Sequence, residues 1–393
     1  MRFRLAEQED LTNERGSQSA PPLFGSMRPP LPSPPQALQT EILDLDLHPN
    51  CIPSTHLTRS GDLLELPALS QRLGPWELLE EIGRGGMGVV YKARNDAGKL
   101  AAIKIERFPT ALRLDDPPTT LINEYAFLTC CEHSGILGTS GLGREEGRDF
   151  VVLDFVDGHS LADLIAHQGK TKNTNGLDLD CPRVCAQLVI ELGRAVRHMH
   201  ERGILHRDIK PANVLLTEAG ELRLIDFGLA CEVGAPPEGL NANGGVSILG
   251  TPEYMAPEQA RNLALDERCD IYAMGALLFE LMTGRRPLEG DSSMDVLRKV
   301  GVEQAPDPRI HVAGLPAKLA EICMRAMDLD RDARFASVKD MLRELTRFCR
   351  KDEQRHSPRR QWLQRSKRGA RRLAQLAAAS VVAVGSLGLG AHG

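Results

Sequence analysis

Two neighbouring stretches, ILHRDIKPANVLL at 204–216 and LIDFGLA at 224–230, constrain this chain more than any others. The first holds Asp208 in a loop between apolar runs, with Lys210 two residues on and Asn213 five on. The second adds another loop carboxylate, Asp226. That set suits a hydroxyl nucleophile and a metal-bound phosphate. One carboxylate can orient an incoming alcohol and take its proton, while Asn213 and Asp226 offer the hard oxygen ligands that Mg²⁺ takes. Lys210 can neutralise charge on a transferring phosphoryl group.

These stretches resemble the catalytic and metal loops of the protein kinases, and the chain is similar to the bacterial eukaryotic-like serine/threonine kinases. The resemblance implies an α+β, two-lobed fold over 73–346. A small, mainly β N-lobe would cover about 73–157 and a larger, mainly α C-lobe about 158–346. It also implies ATP and Mg²⁺ as cofactors and proteins with Ser/Thr acceptors, this chain included, as substrates.

Other stretches take their places in the same order. GRGGMG at 83–88 lies between two short strand patterns, and glycines let backbone amides approach triphosphate oxygens without a Cβ in the way. A dinucleotide fold shares such a run, but there a helix follows; here the pattern after it is a strand with Val90 in it. Ile82, Gly83, Gly85, Gly88 and Val90 are the nucleotide-side candidates of this turn. Lys104 stands alone inside LAAIKI (100–105), which by itself fits a surface lysine on an edge strand; by the resemblance it holds the α- and β-phosphates. Its expected partner is Glu124, on a helical pattern at 121–128, although an exposed helix charge fits the sequence equally well.

The resemblance further implies that Leu153 is the gatekeeper, that Asp154 to Val156 form the hinge to the adenine, and that Val90, Ala102 and Leu215 enclose the purine. An amphipathic helix spans roughly Pro182 to Arg202. Arg207 is expected to pair with a phosphate on the Gly/Ala/Pro-rich loop from Leu229 to Leu249, where Ser247 is the one hydroxyl residue before Thr251. Thr251 opens GTPEYMAPE (250–258), similar to the substrate-facing loop of Ser/Thr kinases, and its hydroxyl is expected near Asp208 and Lys210. Asp270 is expected beneath the catalytic loop, and Arg334 against Glu258.

Composition sets the bounds. The makeup, 42% hydrophobic and 26% charged, is that of a globular protein, and the net charge of −5 conceals an asymmetry. Residues 1–72 carry −3, the middle −11, and the basic linker 347–372 carries +9. An acidic middle argues against nucleic acid as a partner. The nine cysteines include no C-x-x-C pair, which points to a reducing cytosol. No apolar core of signal-peptide length opens the chain. Residues 1–72 are rich in Pro, Ser and Gln and are expected to be a disordered tether.

After the basic linker, residues 373–391 hold no charge. As a helix they would be about 28 Å long, close to the hydrocarbon core of a bilayer, so they fit a membrane span with the basic residues on the cytoplasmic side. That arrangement resembles a tail anchor or a truncated receptor, with the kinase domain in the cytoplasm. A soluble, weakly ordered tail is the other reading. Two further functions compete with a protein kinase, namely a kinase-shaped scaffold and a small-molecule kinase of the same fold. The first would be expected to lack a metal ligand, the lysine or the base; the second does not explain Thr251 to Glu258.

Overall fold

Strand-forming segments near the start of the domain pair into one antiparallel sheet in the computed structural model, which describes residues 72–85, 88–106, 120–145, 148–167, 178–235 and 250–356. The chain divides into two units, Met1–Asp62 and Leu63–Gly393, and every described residue belongs to the second. The sheet comprises β1 (Arg72–Leu73), β2 (Trp76–Arg84), β3 (Gly88–Asn95), β4 (Leu100–Glu106), β5 (Thr139–Glu145) and β6 (Arg148–Asp154), in the order β1-β2-β3-β4-β6-β5. Helix α1 (Thr120–Cys130) lies between β4 and β5 in the chain.

Side chains alternate across a strand, so each face of this sheet gathers its own set. Tyr91, Ile103 and Val152 pack with Leu73, Trp76 and Phe150 on one face. Ala102, Val151 and Leu153 join the main core on the other, together with Leu121 and Leu128 of α1.

The second lobe begins with β7 (Gly158–Ser160) and α2 (Leu161–Ala166), then α3 (Pro182–His200) and the short strands β8 (Ile204–Leu205), β9 (Val214–Thr217), β10 (Leu222–Leu224) and β11 (Cys231–Glu232). Five helices follow: α4 (Pro257–Ala260), α5 (Arg268–Thr283), α6 (Ser293–Val300), α7 (Ala317–Ala326) and α8 (Val338–His356). Helix α5 is the centre of this lobe. Thirteen of its sixteen residues are buried, as expected of a helix that is apolar all round, and Gly284 ends it in the left-handed region at φ 67°. The architecture is α+β and two-lobed, as the resemblance implies.

One boundary differs from expectation. The basic linker was expected from 347, but α8 continues to His356, with Phe348 and Cys349 only 6% and 8% exposed in the main core. Its arginines masked the helix. Arg347 and Arg350 point outward while Leu345, Phe348 and Cys349 face in, which is the pattern of an amphipathic helix. The Pro-rich segment before Arg72, Ser247, and the uncharged run at 373–391 lie outside the described residues. Among the described residues no helix is long and apolar enough to cross a membrane.

Candidate active site

Sheet register builds the first half of the site. Val90 pairs with Lys104 and Ala102 with Leu153, so these four side chains project from one face of the sheet. Lys104 therefore lies on an interior strand between β3 and β6, not on an edge, and is only 7% exposed. In α1 the buried stripe runs Leu121, Glu124, Leu128, a helical spacing that carries Glu124 inward at 1% exposure. Lys104 Nζ donates to Glu124 Oε2 at 2.7 Å and to Asp226 Oδ1 at 2.8 Å. Three segments thus meet at one ammonium.

The electrostatics follow from burial and this sharing. Desolvation works against the charge on Lys104, but Asp226 and Glu124 outweigh it and its pKa is raised. Burial likewise opposes the Asp226 carboxylate, and Lys104 again prevails, so Asp226 lies below the ordinary carboxylate value. For Glu124 burial wins over Lys104 and the pKa is raised.

The loop from His206 to Asn213 supplies the other half. Asp208, Lys210 and Thr251 form a closed triangle: Lys210 Nζ donates to Asp208 Oδ2 at 2.7 Å and to Thr251 Oγ1 at 2.8 Å, and Thr251 Oγ1 donates to Asp208 Oδ1 at 3.2 Å. Asn213 is turned inward by the one-turn 3₁₀ helix Pro211–Asn213. Its Nδ2 donates to both the backbone oxygen and Oδ2 of Asp208, each at 2.9 Å. The loop is held from below, since buried Asp270 accepts from the backbone N–H groups of His206 and Arg207, both at 2.9 Å, and from His200 Nε2 at 2.8 Å.

Two non-glycine residues here occupy the left-handed region, Arg207 at φ 66° and Asp226 at φ 64°. Such a conformation costs roughly 1–3 kcal/mol and persists only where the surroundings over-determine it. At Arg207 they do. Asp270 fixes its N–H, Gln259 Nε2 donates to its carbonyl at 3.0 Å, and its own Nε donates to Leu229 O at 2.5 Å. Ser247, its expected partner once phosphorylated, is outside the described residues.

The glycine turn is more differentiated than the sequence suggested. A Cβ on Gly85 would meet nothing, and one on Gly83 would make ordinary contact with Val90. A Cβ on Gly88 would collide with the carbonyl oxygen of Ile105, so that glycine is required by strand packing. Ile82 is 47% exposed. Asp154, exposed at the end of β6, donates its N–H to Gly138 O at 2.9 Å, and Val156 packs partly against the main core. Leu215 sits on the face of β9 opposite the buried Val214 and Leu216.

These groups fit a divalent cation with phosphate. Asn213 commits its Nδ2 to Asp208, which turns its Oδ1 away, and Asp226 gives Oδ1 to Lys104, which leaves Oδ2 for a cation. Three carboxylates, at 124, 208 and 226, face two ammonium groups, at 104 and 210, so the set carries net negative charge. His200 and Gln259 were not anticipated. Neither has a local sequence signal, because each acts on residues far along the chain.

His206 is fully buried at 0% exposure, edge-on to Phe227, and its Nε2 lies 3.3 Å from Ile225 O, which can only accept. Nδ1 in turn accepts from the backbone N–H of Asp208 at 3.4 Å, so the ring is a neutral Nε2 donor. Burial lowers its proton affinity, although Asp270, Asp208 and Asp226 oppose this. The unfolded chain binds that proton at the ordinary imidazole value of 6.5, so acidification below that value favours unfolding. The midpoint of urea unfolding is expected to fall between pH 7.5 and 5.5, with a shallower fall in His206→Phe. Equal slopes in the two proteins would count against this origin.

A sheet lobe and a helical lobe thus bring together a buried lysine, three carboxylates and an amide from distant segments. The chain belongs to the protein kinase domain family, whose model matches residues 76–357. It is 31% identical over 284 residues to a probable serine/threonine-protein kinase PknB of Bifidobacterium longum, a match covering 70% of this chain and 40% of that protein. Serine/threonine-protein kinase PrkC of Bacillus subtilis is 30% identical over 269 residues, covering 68% and 39%. PknB of Mycobacterium tuberculosis is 28% identical over 279 residues, covering 69% and 42%. The chain spans about two-fifths of the length of these relatives.

Proposed function

We propose that this chain transfers the γ-phosphate of ATP to serine or threonine hydroxyls of proteins. The observation that carries the proposal is the placement of the Thr251 hydroxyl against both Asp208 and Lys210. An alcohol is already held there by a carboxylate and an ammonium, as an acceptor alcohol would be. Asp208 orients the acceptor oxygen and takes its proton, Lys210 offsets the charge that develops beside it, and Asn213 fixes the Asp208 carboxylate. Lys104, held by Glu124, positions the α- and β-phosphates. The turn at Gly83 and Gly85 covers the triphosphate, and Ile82, Val90, Ala102 and Leu215 enclose the base, with Asp154 and Val156 at its edge. Asn213 Oδ1 and Asp226 Oδ2 would hold Mg²⁺. When bound, the ion and nucleotide supply the phosphoryl group and neutralise its oxygens. Phosphorylation of Ser247 would engage Arg207.

A kinase-shaped scaffold would be expected to lack one of these groups, whereas Lys104, Asp208, Asn213 and Asp226 are all present. The test is incubation of purified protein with γ-labelled ATP, Mg²⁺ and a general protein acceptor, followed by phosphoamino-acid analysis. Phosphoserine and phosphothreonine are expected. Lys104→Met should lower incorporation by about 10²-fold, the cost of misplacing a reacting group by about an ångström. Label confined to tyrosine, or none at all, would refute the proposal.

A further inference from the structure

The peptide unit that joins Arg207 to Asp208 is held at both ends by side chains. Its nitrogen, that of Asp208, donates to His206 Nδ1 at 3.4 Å, a long bond. Its carbonyl, that of Arg207, accepts from Gln259 Nε2 at 3.0 Å. A peptide group is planar, so fixing its oxygen also fixes the direction of its N–H. Rotation of this unit would change ψ of Arg207 and φ of Asp208 together, and would swing the Asp208 carboxylate away from Thr251. Arg207 already stands at φ 66°, a region that few residues other than glycine adopt. The bond from Gln259 is one of those that keep it there.

Gln259 can act in this way because its other end is bound too. Its Oε1 accepts from the N–H of Ala256 at 3.0 Å, the bond by which the third residue of a helix closes on the residue before the first. An N–H can only donate and a carbonyl can only accept, so the two partners fix which way the amide faces. The acceptor loop approaches the same carbonyl from its other end, since a Cβ on Gly250, at φ 117°, would lie 3.8 Å from Arg207 O. The stretch 250–259 that carries Thr251 therefore closes on the Arg207 carbonyl at both ends. Helix α4 is itself tied down, with Arg334 donating to Glu258 at 2.7 and 2.9 Å.

We propose that Gln259 is a positioning residue for phosphate transfer: its amide sets the Arg207–Asp208 peptide unit against the acceptor loop, and so holds the Asp208 carboxylate where it can take the proton of the acceptor hydroxyl. It touches no reacting atom and acts through the Arg207 carbonyl. The inference rests on the protein-kinase reading above and adds to it the residue that couples the acceptor loop to the base.

The test sets Gln259→Glu beside Gln259→Met in the full chain, assayed at pH 8, where a half-buried carboxyl is ionised. Glutamate can still accept from Ala256, so it keeps the cap of α4, but its carboxylate cannot donate to Arg207 O. Methionine matches the length and has no donor and only a weak acceptor. Both variants should lower kcat for the general protein acceptor about tenfold, the rate equivalent of one lost hydrogen bond, with KM for ATP unchanged. A residue that only capped α4 would let Gln259→Glu match wild type, so full kcat in that variant overturns the inference and leaves the kinase reading standing. Should Gln259→Glu not fold, Gln259→Met decides, and full kcat there overturns the inference as well. A rise in KM for ATP alongside the fall in kcat would mean a disturbed cleft and also counts against it. If wild type labels no protein, both readings fall.

Discussion

Asp208→Asn is expected to lower the rate of phosphate transfer by about 10²–10⁴-fold, the range over which a positioned acid or base contributes, while nucleotide still binds. The substitution keeps the shape of the side chain but only one acceptor oxygen, so it can hold either Lys210 and Asn213 or Thr251, and an amide cannot take the acceptor proton. Nucleotide affinity should persist because the Lys104, Glu124 and Asp226 cluster that would hold the phosphates makes no hydrogen bond through Asp208. Single-turnover transfer of label, set beside calorimetric nucleotide binding, separates the two effects. Unchanged turnover would remove Asp208 from the role of base, and lost binding would mean that the substitution disturbs the whole cleft.

The second large effect concerns stability. Arg334→Ala should destabilise the domain by about 3–5 kcal/mol, the usual cost of removing one partner of a buried ion pair. The Arg334 side chain is 0% exposed and that of Glu258 6%, and the fork donates from Nη1 and Nη2 to the two carboxylate oxygens at 2.7 and 2.9 Å. Nε and Nη1 also hold the carbonyls of Asp328 and Arg268, at 2.7 and 3.0 Å, and the guanidinium lies 5.0 Å from the centre of the Tyr272 ring. Its loss leaves a buried carboxylate and two carbonyls without their donor. Domains are stable by only about 5–15 kcal/mol, so this is a large share of the total. Denaturant unfolding reads it directly. Replacing both partners, with Glu258→Gln and Arg334→Met together, should recover part of the loss, since no charge then remains buried alone; a single-variant effect under 1 kcal/mol would contradict the account.

Much of the site was legible because its parts are local. Asp208, Lys210 and Asn213 fall within six residues, and the turn that holds them can bring them together whatever the rest of the chain does. The run LAAIKI by itself fitted a surface lysine on an edge strand, and only the pairing of β4 between β3 and β6 put Lys104 inside, where it needs an anion. Other features carried no such mark. Gly88 read as one more phosphate-side glycine, yet the Ile105 carbonyl on the neighbouring strand is what demands it. The basic residues from 347 read as a linker, yet the first of them ride on the outer face of α8 over a buried Phe348.

The sequence by itself determined which chemical groups the chain possesses, their order, and the short-range arrangements that covalent spacing enforces, such as the loop that holds Asp208, Lys210 and Asn213. Tertiary structure alone decided which distant groups meet. Lys104 reaches Glu124 across 20 residues and Asp226 across 122, Asp270 rises beneath Arg207 from 63 residues away, and Arg286 closes on Glu253 across 33. The reason is geometric. A few bonds confine near neighbours, whereas partners so far apart along the chain can adopt countless separations until burial of the sheet faces and of α5 selects one.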